Sequence, residues 1–305
     1  MLEKKSKLLL TITGPTAVGK TAVAVDIAQQ LGTEIISCDS RQMYKEMSIG
    51  TAVPEIDELK AVPHHFIQTH TIFDPVNANS FGVNAHVKLA DLFEKHKVVV
   101  MVGGSGLYID AILKGIDDIP SPTPEIRAAI QEKIDNGQLQ ELQEQLRNID
   151  PIYFSKIDIQ NPRRILRGLE VYFSTGKPLS TFLTSTSIER EFSSAVIVLE
   201  MERETLYQRI NARVDLMIAN GLEKEALQLV ANKDLTSLKT VGYQEFFEYF
   251  EGNCSYNEAV TRIKNNTRSY ARKQETWFRR YESAFRLDSN KRKSIKKLVR
   301  ELTTR

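Results

Sequence analysis

The chain has 305 residues, 41% hydrophobic and 26% charged, which is too apolar for a disordered chain and long enough for about two structural units. No apolar run approaches the ~20 residues that span a bilayer, so a membrane-spanning protein is excluded. The formal charge of +2 hides an asymmetry: residues 262–305 hold 15 Lys and Arg against 4 Asp and Glu, a net of +11 that leaves −9 for the rest. A tail of one sign can neutralise nucleic-acid phosphates or merely solvate a helix face, and charge alone leaves both open.

The basic start of the chain runs into residues 8–12, an apolar stretch too short for a signal h-region and followed by no cleavage site. It is expected to be a buried first strand in a cytoplasmic protein. With no export signal, Cys38 and Cys254 predict neither a disulfide nor a Cys-based metal cage. A glycine loop follows the strand, and residues 21–30 have helical periodicity closed by Gly32. Residues 34–37 read as a second strand ending at Asp39. Residues 98–102 and 195–200 read as strands buried on both faces of a parallel sheet. Between these two lies 115–192, with prolines at 120, 122 and 124, helical patterning over 125–147 and 162–173, and no strand pattern. After Glu200 everything reads as helical. The predicted fold is α/β: a parallel-sheet core of phosphate-loop NTPase type over 1–114 and 193–305 with a helical basic tail. An inserted helical subdomain, 115–192, is expected to project from the sheet edge.

The pattern G-x-x-x-x-G-K-[ST] at 14–21 stands where its chemistry needs it, after a strand and at a helix start. Its residues are Gly14, Pro15, Thr16, Ala17, Val18, Gly19, Lys20 and Thr21. They can curl consecutive backbone N–H groups around phosphate oxygens at the positive end of a helix. Lys20 adds a point charge and Thr21 a hydroxyl ligand for Mg²⁺. Ordinary NTP chemistry also uses an aspartate at the end of a later strand, but residues 98–102 run into Gly103, Gly104 and Ser105 without one. The acid is instead Asp39, at the carboxyl end of the second predicted strand and so on the ligand side of the sheet.

On a helix over 262–281, Ile263, Tyr270, Ala271, Trp277 and Phe278 share one side, while Lys264, Arg268, Arg272 and Arg279 share another. The first side is expected to pack and the second to meet RNA phosphates. The five histidines show no i, i+4 pair on a helix, so no zinc site is expected, and His64 and His65 are expected in a loop near the crevice.

With these residues in view, the sequence resembles the tRNA dimethylallyltransferase family, also called tRNA isopentenyltransferases, along nearly its whole length. The blocks, in the family's order, are GPTAVGKT at 14–21, DSRQMY at 39–44, IGTAVP at 49–54, PHHFI at 63–67, VGGSGLY at 102–108, NPRRILRGLEV at 161–171, RVDLMIANGL at 213–222, VGYQE at 241–245 and TRSYARKQETWFRR at 267–280. Two positions depart from the family's common residues: Val53 stands where lysine is common and Ser105 where threonine is.

The resemblance implies transfer of a dimethylallyl group from dimethylallyl diphosphate to N6 of adenosine 37, just 3′ of the anticodon, in tRNAs reading codons that begin with U. The partners would be the tRNA anticodon stem-loop and Mg²⁺, and a monomer is expected. The phosphate loop would then cradle a departing diphosphate, with Lys20, Thr21 and Mg²⁺ acting on its charge. Asp39 would take the proton of the adenine amine, its alternative being a Mg²⁺ ligand or helix cap. Arg213, from the RV-x-x-M block, would be a second cation on the diphosphate, or else a surface arginine. Ser40, Arg41 and Gln42 would read the extruded base. Ser105, Arg127, Arg163, Arg164 and Arg167, with Ile165 and Leu166 between the last three, fall at positions expected to meet tRNA, although 163–167 alone also reads as a charged helix flank.

Two other enzymes could use the same cradle. A phosphate-loop kinase of a small metabolite needs an NTP and an arginine-bearing lid, which 115–192 could supply. A prenyltransferase of free adenine nucleotides would leave the basic tail without enough phosphates to meet. A non-catalytic RNA-binding module would leave the cradle and Asp39 without a purpose.

Overall fold

The computed structural model describes residues 7–117, 119–120, 122–183 and 190–304. The chain's basic start and Arg305, read above as part of the tail, lie outside the described residues. Two compact units form, Met1–Lys114 with Glu189–Arg305, and Gly115–Ile188. The return to the first unit comes before residue 193, the boundary expected from sequence. Phe192 is already buried there, its ring 5.5 Å from that of Phe93.

The first unit opens with β1 (Leu8–Thr13), α1 (Lys20–Leu31), β2 (Ile35–Ser37), α2 (Ile56–Ala61), β3 (His64–His65), α3 (Ala78–Lys95), β4 (Val98–Val102) and α4 (Gly106–Leu113). The second unit holds α5 (Pro124–Asp135), α6 (Leu139–Ile149), α7 (Pro151–Phe154) and α8 (Pro162–Thr175). The first resumes with β5 (Ser193–Glu200), α9 (Arg203–Ala219), α10 (Leu222–Leu229), α11 (Gln244–Phe250), α12 (Tyr256–Phe278), β6 (Phe285–Asp288) and α13 (Arg292–Thr303).

The strands form one parallel sheet in the order β3-β2-β4-β1-β5-β6. Leu9, Leu10, Thr11 and Ile12 of β1 are all fully buried, which is why this strand shows no alternation in sequence. Leu10, Ile12, Val100 and Val102 form one cluster with Val23 and Ile27 of α1, Leu206 and Ile210 of α9, and Ile295 and Val299 of α13. The loop after β1 is thereby set at the centre of the sheet's carboxyl edge, between β4 and β5.

Two edge strands correct the sequence reading. His64 and His65, expected in a loop, form β3 and pair with Ile35 and Ile36. Residues 285–288, expected to be helical, form β6 beside β5, where the Arg286 guanidinium meets Glu200 at 3.0 Å. In neither case is the strand long enough for a period to emerge.

The second unit has its own core, built from Ile130 of α5, Leu142 and Leu146 of α6, and Ile165 and Leu169 of α8. Ile165, expected at the tRNA-facing surface, is fully buried, because its i, i+4 spacing to Leu169 places both on the inward stripe. Leu166 packs part-buried against the same cluster. Among the described residues no helix is long and apolar enough to cross a membrane, and both cysteines are free thiols.

Candidate active site

The loop after β1 is shaped by close approach. A Cβ at Gly14 would lie 2.5 Å from the Leu199 carbonyl oxygen, and Gly14, Ala17 and Gly19 all have positive φ. Val18 is fully buried and pins the loop from beneath. Lys20 opens α1, and its Nζ donates to the carbonyls of Gly14 at 3.0 Å and Pro15 at 2.9 Å. The Thr16 N–H donates to Gln274 Oε1 at 2.8 Å, while Gln274 Nε2 donates to the Gly104 carbonyl at 2.9 Å. A buried glutamine on α12 thus ties the phosphate loop to the turn after β4.

Thr16, Ala17, Gly19, Lys20 and Thr21 line a cleft of about 470 Å³. Arg209 and Arg213 of α9, Asp39 and Gln42 from the turn after β2, Ala52, Val53 and Pro54, and Tyr270 of α12 complete much of its wall. Burial pushes the Lys20 ammonium down to about 8; Arg213 adds to the shift and Asp39 opposes it. Arg213 is likewise held below the usual arginine range by burial, which Asp39 opposes and Arg209 reinforces. Its Nη1 donates to Thr16 Oγ1 at 3.3 Å. Neither Lys20 nor Arg213 has an ion-pair partner within 4 Å among the described residues. Two buried cations in one cleft, with Asp39 near but in ion-pair contact with neither, make a site for an anion.

Asp39 enters the same cleft with its rotamer fixed, as Oδ1 accepts the N–H groups of Arg41 at 2.9 Å and Gln42 at 3.3 Å. No hydrogen bond to Oδ2 occurs among the described residues, so this oxygen can take a proton or meet a cation. The donor set fits Mg²⁺, which favours one or two protein oxygens plus substrate phosphates. Thr21 and Asp39 offer a hydroxyl and a carboxylate beside the anion cradle.

The other predicted residues divide. Gln42 lines the cleft, its Nε2 donating to the carbonyls of Thr51 at 3.2 Å and Ala52 at 2.8 Å. Ser105 is buried; its Oγ accepts the Ser40 N–H at 3.0 Å and lies 3.1 Å from Ser40 Oγ, so it holds Ser40 in place. Arg41, expected to read the base, turns its Nη1 to the carbonyls of Thr236 and Ser237 at 3.1 and 2.9 Å, where a short 3₁₀ turn offers acceptors. Tyr270, expected on the packing side of α12, is 41% exposed and faces the cleft.

On α12, Lys264 pairs with Asp215 at 2.5 Å and the Arg268 guanidinium lies 5.8 Å from the Tyr207 ring centre, so both are drawn onto α9. Of the four cations expected on that side, Arg272 and Arg279 are exposed, while Lys264 and Arg268 are only partly so. In the second unit, Arg127 makes a two-point contact with Glu170, Nε to Oε1 at 2.6 Å and Nη2 to Oε2 at 3.2 Å, and Glu170 is fully buried. That bond raises the Arg127 pKa, whereas burial lowers that of half-buried Arg167. Arg163 and Arg164 are exposed on α8. Arg209, Tyr270 and Gln274 are cleft residues that sequence reasoning missed. For Arg209 a signal existed, its position four before Arg213 on one helix face.

The IPP transferase family model matches residues 42–281. A tRNA dimethylallyltransferase of Flavobacterium psychrophilum is 49% identical over 286 residues, covering 92% of this chain and 93% of its own. A solved full-length tRNA isopentenylpyrophosphate transferase of Bacillus halodurans has a TM-score of 0.71 at 34% identity, covering 97% of this chain and 96% of its own. A eukaryotic dimethylallyltransferase, described as acting on tRNA, has a TM-score of 0.77 at 25% identity over 93% of this chain and 74% of its own. The extent of the match in sequence, in fold and across both units makes this chain a member of the IPP transferase family.

Proposed function

We propose that this enzyme transfers a dimethylallyl group from dimethylallyl diphosphate to N6 of adenosine 37, 3′ of the anticodon, in tRNAs reading codons that begin with U. The observation that carries the reading is the pair of cations without ion-pair partners, Lys20 and Arg213, in one cleft with Asp39. The N6 lone pair attacks C1 of the dimethylallyl group, the C1–O bond breaks, and its electron pair leaves on the diphosphate. The N6 proton passes to the Asp39 carboxylate. That amine is a poor nucleophile because its lone pair is delocalised into the ring, so a positioned proton acceptor matters. Lys20, the loop N–H groups, Arg213 and Arg209 stabilise the charge growing on the leaving oxygen. Thr21 would hold a Mg²⁺ ion beside the diphosphate, and the ion would supply further Lewis-acid charge there.

The target adenine must leave the stacked anticodon loop to enter the cleft. Arg163 and Arg164 of the 115–188 unit, with Arg272 of α12, meet tRNA phosphates outside it. Incubating the purified protein with dimethylallyl diphosphate, Mg²⁺ and total tRNA, followed by nucleoside analysis, tests the reading. N6-dimethylallyladenosine at position 37 is the expected product. Its absence, together with phosphate transfer from labelled ATP, would support the kinase alternative instead.

A further inference from the structure

Glu225 of α10 does not line the cleft, yet its carboxylate gathers an unusual set of donors. Oε2 accepts the N–H of Ser48 at 3.0 Å and of Ile49 at 2.8 Å, and Oε1 accepts that of Gly50 at 2.9 Å and the Tyr243 hydroxyl at 2.6 Å. Three consecutive N–H groups converging on one anion form a nest, and charge-assisted hydrogen bonds are the strong kind. Tyr243 is fully buried, and a Cβ at position 50 would lie 2.6 Å from its ring, so glycine is what admits the hydroxyl to the carboxylate.

The clamped segment leads directly into the cleft wall. The carbonyls of Thr51 and Ala52 accept the Gln42 carboxamide, the Gln42 N–H reaches Asp39 Oδ1, and Ala52, Val53 and Gln42 all line the cleft. Ala52 is held at φ +48°, a left-handed conformation that persists for a residue with a Cβ only where its surroundings over-determine it.

We propose that Glu225 is a positioning residue for the acceptor base. It fixes 48–50, these fix the carbonyls of 51 and 52, and those hold the Gln42 carboxamide beside Asp39 with its Oε1 available to the base. The inference rests on the acceptor being an adenine, as proposed above. None of these hydrogen bonds involves Lys20 or the phosphate loop, so acceptor and diphosphate should respond separately.

Glu225→Gln turns an NH₂ group toward backbone donors and breaks the nest. It should lower kcat/KM for tRNA about tenfold while the affinity for inorganic diphosphate stays within about twofold of wild type. Tyr243→Phe removes one donor and leaves the nest, so the same split should appear at about threefold, and it serves as the test if Glu225→Gln does not fold. In a Gln42→Ala background, Glu225→Gln should add less than about threefold, since residues acting in series are not additive. A full tenfold loss in that background, or equal losses for tRNA and diphosphate, would reduce Glu225 to general support of the fold. A wild-type protein that does not prenylate tRNA overturns the functional reading and this inference with it. Wild-type activity with unchanged variants overturns only the inference.

Discussion

Two basic sites in this chain use arginine in opposite ways. In the 115–188 unit, Arg127 grips a fully buried carboxylate with two nitrogens, and the bond raises its pKa. In the cleft of the other unit, Lys20 and Arg213 stand beside each other, and both are pushed down by burial. A cation whose charge is already matched holds structure together. Lys20 and Arg213 have Asp39 in the same cleft but no carboxylate within ion-pair distance among the described residues. An arriving anion therefore supplies the close counter-charge and offsets part of the burial cost. Position in a family block does not separate these cases; the partner does.

The largest effect should come from removing the cleft's central cation. Lys20→Ala should reduce single-turnover prenyl transfer by roughly 10²–10³-fold and weaken diphosphate binding in parallel, measurable by rapid quench and by titration with inorganic diphosphate. Unchanged affinity would collapse the contrast between the two sites. Arg127→Ala should do the reverse: about 2 kcal/mol less stability in urea unfolding, because buried Glu170 loses its partner, with diphosphate affinity unaffected. Water around the Arg127 side chain, which is 55% exposed, keeps this loss below that of a fully enclosed pair.

The Lys20 shift gives the contrast a pH signature. With its pKa near 8, Lys20 is charged below that value and loses its proton as pH rises through it. Diphosphate affinity should therefore be full below about pH 7 and fall about tenfold by pH 9. Lys20→Arg, which keeps its charge, should flatten the profile. The smallest effect concerns the tail. Replacing Lys264, Arg268 and Arg272 together by glutamine should reduce the salt slope for tRNA binding by about 0.7 to 0.9, the value of one phosphate contact. Lys264 and Arg268 are already engaged on α9. A slope change of about three contacts would mean that tRNA pulls both away from their partners.

How far the sequence could be read follows the range of the interactions involved. Residues 98–102 form β4 as expected, since a strand buried on both faces leaves a continuous apolar run, and the phosphate loop is a local motif whose glycines answer to local backbone geometry. Asp39 was legible because a parallel sheet fixes which strand ends face the ligand. The two-residue β3 and the four-residue β6 were not, since too few residues alternate to show a period. Arg41 and Arg127 were legible as basic residues but not as anchored ones. Their partners, at 236–237 and at Glu170, are distant in sequence and meet them only in the fold. Gln274 was hidden for the same reason, as a neutral residue on a basic helix that becomes a strut between two loops.

The most direct test of the central claim, that one cleft separates an anion cradle from a proton acceptor, is the single-turnover rate of Asp39→Asn at saturating tRNA and dimethylallyl diphosphate. The substitution keeps the shape and Oδ1, with its hydrogen bonds to Arg41 and Gln42, while removing the base. The rate should fall by roughly 10²-fold or more, with diphosphate affinity retained because Lys20 and Arg213 are intact. A rate within a few fold of wild type would contradict the account and leave Asp39 as a brace for the turn after β2.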